Sequence, residues 1–154
     1  MQVMKTQLIK DILVSEPDGR LVTICGWVRT KRDSKNLCFI QVNDGSCFAT
    51  IQLTYDRENA NPNNENIENT LPNVTTGASI KATGKLIPSP ASGQAVEVAL
   101  ETLEVLGVSP SDYPLQKKGH TVEFLRENSH LRARTNMFGA VARMRSQMAF
   151  AVHS

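Results

Sequence analysis

Several side chains in residues 26–53 have the types and spacing needed to bind nucleic-acid bases. Phe39 and Gln52 each alternate with apolar neighbours in a short run, which predicts that both lie on the outer face of a sheet. A basic run precedes them and consists of Arg29, Lys31 and Arg32. Exposed rings stack on bases, amides bind base edges and cations bind phosphates. The segment therefore favours a surface for single-stranded nucleic acid.

Each of these residues also has an ordinary structural explanation. An outward ring such as Phe39 can cover a seam, an amide such as Gln52 can be a solvated strand residue, and a charge run is usually solvated. Their proximity favours stacking by Phe39, a base-edge contact by Gln52, and phosphate or base contacts by the basic run. Phe48 is a second aromatic candidate, which sits near a strand end and is expected to pack under a loop.

The same segment predicts three consecutive strands, at residues 21–30, 37–42 and 47–53. Asn-Asp-Gly-Ser at 43–46 is typical of a hairpin turn, and Gly26 marks a bulge or bend in the first strand. The residues predicted to face the core are Val22, Ile24, Gly26, Val28, Cys38, Ile40, Val42, Ala49, Ile51 and Leu53.

The rest of the first two thirds predicts a short helix at 5–12, a polar loop with one helical turn around Ile67, and strands at 79–87 and 95–106. Five strands with a helical turn between the third and the fourth match the order of an OB-fold. We therefore predict an all-β protein, a five-stranded OB-fold Greek-key barrel with a short N-terminal helix and a C-terminal helical extension. This fold binds ligands on strands two and three and in the adjoining loops.

The last two strands add charged candidates. Lys81 and Lys85 are predicted to be exposed and to extend the basic surface, with at least one of them facing a phosphate. Glu97 is also predicted to be exposed, where a carboxylate can accept from the exocyclic amine of a base.

Three regions follow from the pattern: a barrel at 1–107, a hinge or linker at 108–135 and a helix at 136–154. Thr135 or Asn136 can cap that helix. It has no stop signal before Ser154, so we expect the natural chain to continue. Its apolar stripe consists of Met137, Val141, Met144, Met148 and Val152.

Composition limits the other functions. The net charge of +2 does not by itself indicate a nucleic-acid partner, and no apolar run or signal-peptide core predicts a membrane or secreted location, so a cytoplasmic location is expected. Three cysteines without a paired spacing favour buried free thiols. We find no metal site, because the histidines are scattered, and no complete set of catalytic residues.

The residues that carry a family resemblance lie in several separate stretches. GWVRTKRDSKNLCFIQVNDGSC resembles the anticodon-binding OB domain of the class IIb aminoacyl-tRNA synthetases, the enzymes for aspartate, asparagine and lysine. NDGSCFATIQ, TTGASIKATGKL and HTVEFLRENSHLRARTNMFGAVARMRS look most like the asparaginyl members. The resemblance covers nearly the whole chain apart from residues 55–73.

The resemblance implies that the barrel binds the anticodon of asparagine-accepting tRNA, whose central base is a uridine. Phe39 matches the family's stacking aromatic, and Arg32 matches the arginine of its RRD motif, which is KRD here. Gln52 matches the glutamine that recognises the central base, although two extra residues separate it from Phe39 relative to the aspartyl pattern. The family's glutamate has two possible counterparts, Gln94 and Glu97, of which Glu97 is favoured.

The resemblance extends to the C-terminal helix, which is similar to the first half of motif 1, the dimer helix of the family. Motifs 2 and 3, with their ATP-binding arginines, are absent from this sequence, so the chain as given is not expected to activate asparagine. No cofactor is expected in this fragment. ATP, Mg²⁺ and a homodimer are expected for the full-length enzyme.

Three alternatives stay open at this point. The chain could be a free-standing OB module that binds single strands with little sequence preference, or the same domain of an aspartyl- or lysyl-tRNA synthetase. A protein-interaction module that uses the apolar stripe of residues 136–154 is the third.

Overall fold

A computed structural model of the chain describes residues 5–59, 61–91 and 93–154. The strands are β1 (Leu21–Asp33), β2 (Leu37–Asn43), β3 (Ile51–Asp56), β4 (Ser79–Pro88) and β5 (Val96–Gly107). The α-helices are α1 (Ile9–Ile12), α2 (Asn64–Thr70), α3 (Val122–Glu127) and α4 (Asn136–His153). Two 3-10 turns occupy Leu71–Asn73 and Arg132–Arg134. Residues 1–4 lie outside the described residues. They belong to the N-terminal stretch in which the sequence predicts no signal peptide.

The five strands close into a barrel in the order β1-β2-β3-β5-β4. All neighbouring pairs are antiparallel except β3 and β5, which are parallel. A parallel pair needs a long crossover connection. The chain between β3 and β5 contains α2 and β4, and α2 buries Ile67. The predicted five-stranded barrel is confirmed.

The period-two pattern correctly places the core of β2. Cys38, Ile40 and Val42 are completely buried, whereas Phe39 and Gln41 between them are partly exposed. Burial raises the pKa of the Cys38 thiol to about 11, so this thiol stays protonated and packs as a small apolar group.

The third strand is shorter than predicted. It begins at Ile51 rather than at residue 47, because Asn43 holds the preceding residues as a loop: its side-chain Nδ2 donates to the carbonyls of Cys47 (3.0 Å) and Ala49 (2.7 Å). The predictions that Ala49 faces the core and that Cys47 lies in a strand are therefore wrong. Phe48 is half exposed in this loop.

The bulge in β1 was predicted at Gly26 but lies further along the strand. The register shifts between Val28 and Thr30, while Gly26 continues the strand and packs against β2. A Cβ at Gly26 would lie 2.7 Å from Val42 Cγ1, so close packing explains this glycine. β1 continues past the bulge to Asp33, three residues beyond the predicted end, and Lys31 and Arg32 lie in this continuation.

Arg57 joins the end of β3 to two other elements. Its guanidinium contacts Asp33 at the end of β1 (2.8 Å) and Glu68 on α2 (2.6 Å), and its backbone amide donates to the carbonyl of Asn36. The hydrogen bonds to Glu68 and Asp33 raise the pKa of Arg57 above its ordinary value. Arg57 thereby fixes the β1–β2 turn, which orders the two strands that carry Arg32 and Phe39.

The β2–β3 loop also holds the N-terminal helix. Asp44 Oδ2 accepts from the backbone amide of Ile9 (2.8 Å), and Ser46 Oγ accepts from that of Lys10 (3.1 Å). Partial burial works to raise the pKa of Asp44, but hydrogen bonds from Ser46 and from the Ile9 amide outweigh it and hold the pKa below its usual value. Asp44 and Ser46 thus each satisfy one amide that the first helical turn leaves unpaired.

We expect Asp44→Asn to lower the free energy of unfolding by about 0.5–1.5 kcal/mol near neutral pH, because a charged acceptor of three hydrogen bonds is replaced by a neutral amide with only one accepting end. Because the folded pKa is depressed, the advantage of aspartate is present above the unfolded pKa of about 3.9 and is lost as the pH falls through the lower folded pKa. Urea unfolding of both proteins from pH 7 down to about pH 2 measures this difference. Asp112→Asn, at an exposed residue, is the control, and an equal loss there would contradict the role of Asp44.

The chain divides into two units, and the second consists of Pro114–Ser154. Within it α3 begins after Thr121, whose Oγ1 accepts from the amide of Phe124 (3.2 Å). The predicted C-terminal helix is confirmed as α4, although Thr135 Oγ1 donates to the carbonyl of Arg132 instead of capping it. The hinge assigned to 108–135 stays a prediction. Among the described residues, no helix combines the length and the apolar character needed to cross a membrane.

Candidate nucleic-acid interface

The outer faces of β2 and β3 present one continuous set of side chains, which we call the β2–β3 surface. Phe39 pairs with Thr54 across the two strands and with Arg32 on β1, and Gln41 pairs with Gln52. These residues are out of phase with the buried core positions, which is why they share one side of the sheet.

Phe39 lies on this surface and outside the core. The Arg32 guanidinium carbon stands 5.8 Å from the centroid of the Phe39 ring, within the range of a cation–π contact. Arg32 itself is exposed. The pair therefore offers a flat ring and a cation side by side, as base stacking and phosphate contact require.

Gln52 departs from the prediction. Its neighbours Ile51 and Leu53 face the core, so it belongs to the outer side as predicted, yet only 8 % of it is exposed. Gln52 donates to the carboxylate of Glu97. Ser89 and Gln94, which lie between β4 and β5, donate to the same carboxylate. Alternation along a strand predicts the face of a residue but not how far other parts of the chain bury it, and the prediction of a fully open Gln52 is wrong.

Glu97 is buried as well, with 4 % exposed, against the prediction of an exposed carboxylate. Its Oε2 accepts from Gln52 Nε2 (3.1 Å), from Ser89 Oγ (3.2 Å) and from Gln94 Nε2 (3.4 Å). A buried carboxylate needs such donors, because burying a charge without them is costly. The two candidate counterparts of the family glutamate, Glu97 and Gln94, thus belong to one hydrogen-bonded cluster with Gln52.

The sequence interpretation missed two participants. Gln41 lies beside Gln52 and accepts from Thr30 Oγ1 through its Oε1 (3.2 Å); its alternation with Phe39 was the available signal. Ser89 had no comparable signal, because a serine in a Pro-rich loop is an ordinary turn residue.

The cations are distributed differently from the prediction. Lys31 Nζ donates to the carbonyl of Leu71 (2.8 Å), which ties β1 to the 3-10 turn after α2. Arg29 is partly exposed at the bulge. Lys81 and Lys85 are exposed, but β4 pairs with β1 and β5 only, and Lys85 contacts Glu101 (3.4 Å). The exposure of both lysines agrees with the prediction, and the contact of at least one of them with a phosphate stays a prediction.

Within residues 5–59, 61–91 and 93–154, no group of three or more His, Cys, Asp or Glu side chains is placed to hold a metal ion. The β2–β3 surface offers the ring of Phe39 and the amides of Gln41 and Gln52, flanked by the Arg32 guanidinium on β1 and the Glu97 carboxylate on β5. These groups can stack, donate and accept, which is the chemistry of base recognition.

Comparison with known proteins gives a consistent result. Residues 22–106 match the model of the tRNA anti-codon family, described as an OB-fold nucleic acid binding domain. The chain is 57% identical over 148 residues to an asparagine–tRNA ligase of Treponema denticola and 49% identical over 154 residues to one of Cytophaga hutchinsonii. These alignments cover 96% and 98% of this chain but 31% and 32% of the relatives, so the chain spans about a third of their length.

Among solved structures, the asparaginyl-tRNA synthetase of Pyrococcus horikoshii matches with a TM-score of 0.79 at 20% identity. The match covers 98% of this chain and 35% of that chain. At this identity the likeness establishes the fold.

Proposed function

The chain belongs to the tRNA anti-codon family of OB-fold nucleic acid binding domains, and from this premise we propose that its β2–β3 surface binds the anticodon of a tRNA on behalf of an asparagine–tRNA ligase. The observation that carries the proposal is the partly exposed Phe39, with the Arg32 guanidinium 5.8 Å from its ring and Gln52 diagonally across from it on β3. A base stacked on Phe39 would place its edge towards Gln52.

The identity of the ligase is supported by the names of the curated relatives, which are asparagine–tRNA ligases at 57% and 49% identity. This favours the asparagine enzyme over the aspartyl and lysyl ones, and hence an asparagine-accepting tRNA with a central uridine. Since the chain spans about a third of those relatives, amino-acid activation is assigned to a longer protein.

ATP and Mg²⁺ are proposed as the cofactors of that longer protein. A homodimer is proposed through α4, whose Met137, Val141 and Met144 are at least half exposed. A cytoplasmic location follows from the same proposal, because tRNA is aminoacylated where translation takes place.

The function is tested by titrating the whole chain with RNA hairpins whose loops differ only in the central base. Tighter binding of the uridine hairpin than of the cytidine hairpin at one fixed salt concentration supports anticodon recognition. Equal binding of all hairpins, with a steep fall in affinity as salt rises, would instead indicate a module that binds single strands through phosphates.

Gln52→Ala should reduce affinity for the uridine hairpin about 2- to 12-fold, which is the net value of one hydrogen bond, and should change affinity for the cytidine hairpin much less. Fluorescence anisotropy with labelled hairpins measures both constants. Gln147→Ala removes an equivalent amide from an exposed site on α4 and should change neither. An unaltered preference in the Gln52 variant would remove its assigned role.

A further inference from the structure

Arg57 directly follows β3, yet its guanidinium reaches the turn between β1 and β2, residues 34–36, which is the β1–β2 turn. We propose that Arg57 is a positioning residue for RNA binding: it holds this turn, and with it Arg32, in the arrangement that RNA requires, and does not itself touch the RNA. The proposal deepens the proposed function and rests on it for its RNA ligand.

All three nitrogens of the Arg57 guanidinium have a partner within the fold. Nη2 contacts the carboxylate of Asp33 (2.8 Å), Nη1 donates to the carbonyl of Ser34, and Nε donates to the carboxylate of Glu68 on α2 (2.6 Å). The guanidinium carbon also lies 5.8 Å from the ring centroid of Tyr55, which is buried. A planar fork of donors suits contacts in several directions at once. Arg57 is therefore held firmly, and its side chain is only 23% exposed.

These contacts secure the β1–β2 turn at both of its ends. Asp33 and Ser34 are held at the start by the side chain of Arg57, and the carbonyl of Asn36 accepts from its backbone amide at the end (2.9 Å). The turn is closed as well by the amide of Ser34, which donates to the carbonyl of Leu37 (2.9 Å). A turn that is ordered in advance loses little conformational freedom when a ligand binds, and this lowers the entropic cost of binding.

Arg57 also controls the charge next to the binding surface. Asp33 directly follows Arg32, whose guanidinium carbon lies 5.8 Å from the centroid of the Phe39 ring. A carboxylate without its own cation at this point would repel RNA phosphates, or would pair with Arg32 in their place. Because Arg57 engages that carboxylate, Arg32 stays available to a phosphate. Arg57 thus acts on RNA through Asp33 and Arg32.

Arg57→Met keeps much of the length of the side chain and removes its charge and its donors. We expect it to weaken binding of the uridine and the cytidine hairpin alike by about 2- to 12-fold, the cost of ordering one long side chain on binding, and to leave the ratio of the two affinities unchanged. Fluorescence anisotropy at one fixed salt concentration measures both constants. Arg20→Met, which removes an ion pair with Asp18 between α1 and β1, is the control and should change neither. Wild-type affinity in Arg57→Met would overturn the proposal.

Arg57→Lys separates the fork of donors from the charge. A lysine ammonium is a compact point charge that does not reproduce the planar fork, so this variant should recover only part of the affinity that Arg57→Met loses. Complete recovery would mean that positive charge alone is needed, and it would overturn the positioning role.

Glu68→Ala distinguishes positioning from net charge by the sign of its effect. Removing an acidic side chain should tighten RNA binding if net charge alone decided the affinity. If Glu68 anchors Arg57 to α2, its loss instead weakens both hairpins by about twofold or more, the value of one hydrogen bond, and this is the result we expect. Glu65→Ala, at an exposed residue of the same helix, should not weaken binding. Tighter binding in Glu68→Ala would overturn the proposal.

A measurement without RNA separates failure of this proposal from failure of the proposed function. The amides of Ser34 and of residue 57 close the β1–β2 turn, and their hydrogen exchange should be faster in Arg57→Met than in the wild type, with thermal unfolding confirming a folded barrel. Unchanged exchange would overturn the proposal. Faster exchange in a protein whose wild type binds no hairpin would support the hold of Arg57 on the turn and overturn the proposed function.

Discussion

Replacing Phe39 with alanine is expected to weaken binding of both the uridine and the cytidine hairpin about 5- to 150-fold, because stacking on an aromatic side chain contributes ~1–3 kcal/mol per base. The free energy of unfolding should fall by less than about 1 kcal/mol, since the ring is partly exposed and outside the core. Anisotropy titrations and urea unfolding of the same preparation measure the two effects separately.

Ile40→Val is the matched control, because Ile40 is the next residue on β2 and is completely buried. It should cost about 0.5–1.5 kcal/mol of stability and leave hairpin affinity unchanged. If Phe39→Ala instead destabilises the barrel and spares binding, then the ring has a structural role and the β2–β3 surface is not the base-binding site.

The contrast between Phe39 and Ile40 shows what could be predicted from the sequence. Every second residue of β2 and β4 is apolar or small in the sequence and buried in the structure. The faces of these strands and the barrel that they form were therefore predictable. The hairpin turn was predicted too short, because the hydrogen bonds from Asn43 to Cys47 and Ala49 stabilise a loop that no local propensity indicates.

The sequence predicted those parts of the candidate site that lie on consecutive strands. Phe39 and Arg32 are cross-strand neighbours, and a prediction of consecutive antiparallel strands brings them together. The contact of Gln52 with Glu97 joins β3 to β5, 45 residues apart, through the parallel closure of the barrel. Ser89 and Gln94 also donate to Glu97, and strand alternation does not indicate where residues of that connecting segment lie.

The closure of the barrel also brings two backbones unusually close at Gly84. The register between β4 and β5 shifts between Thr83 and Gly84, and a Cβ at Gly84 would lie 2.1 Å from the carbonyl oxygen of Ala99 and 2.8 Å from Val98 Cγ1. A carbonyl oxygen in a strand cannot move as the end of a side chain can. The glycine is therefore required by the approach of β5, and the next residues along β5 towards its start include Glu97.

Gly84→Ala should consequently lower the free energy of unfolding by about 3 kcal/mol or more, at or beyond the upper end of the cost of overpacking a core, and should lower the melting temperature by about 10 °C or more. Calorimetry or thermal circular dichroism measures this. Gly119→Ala is the control, because nothing lies within 4 Å of its Cβ position, and it should be neutral or slightly stabilising through the unfolded state. A loss below about 1 kcal/mol in Gly84→Ala would mean that β4 and β5 do not approach as closely as the barrel requires, and the placement of Glu97 beside Gln52 would have to be revised with it.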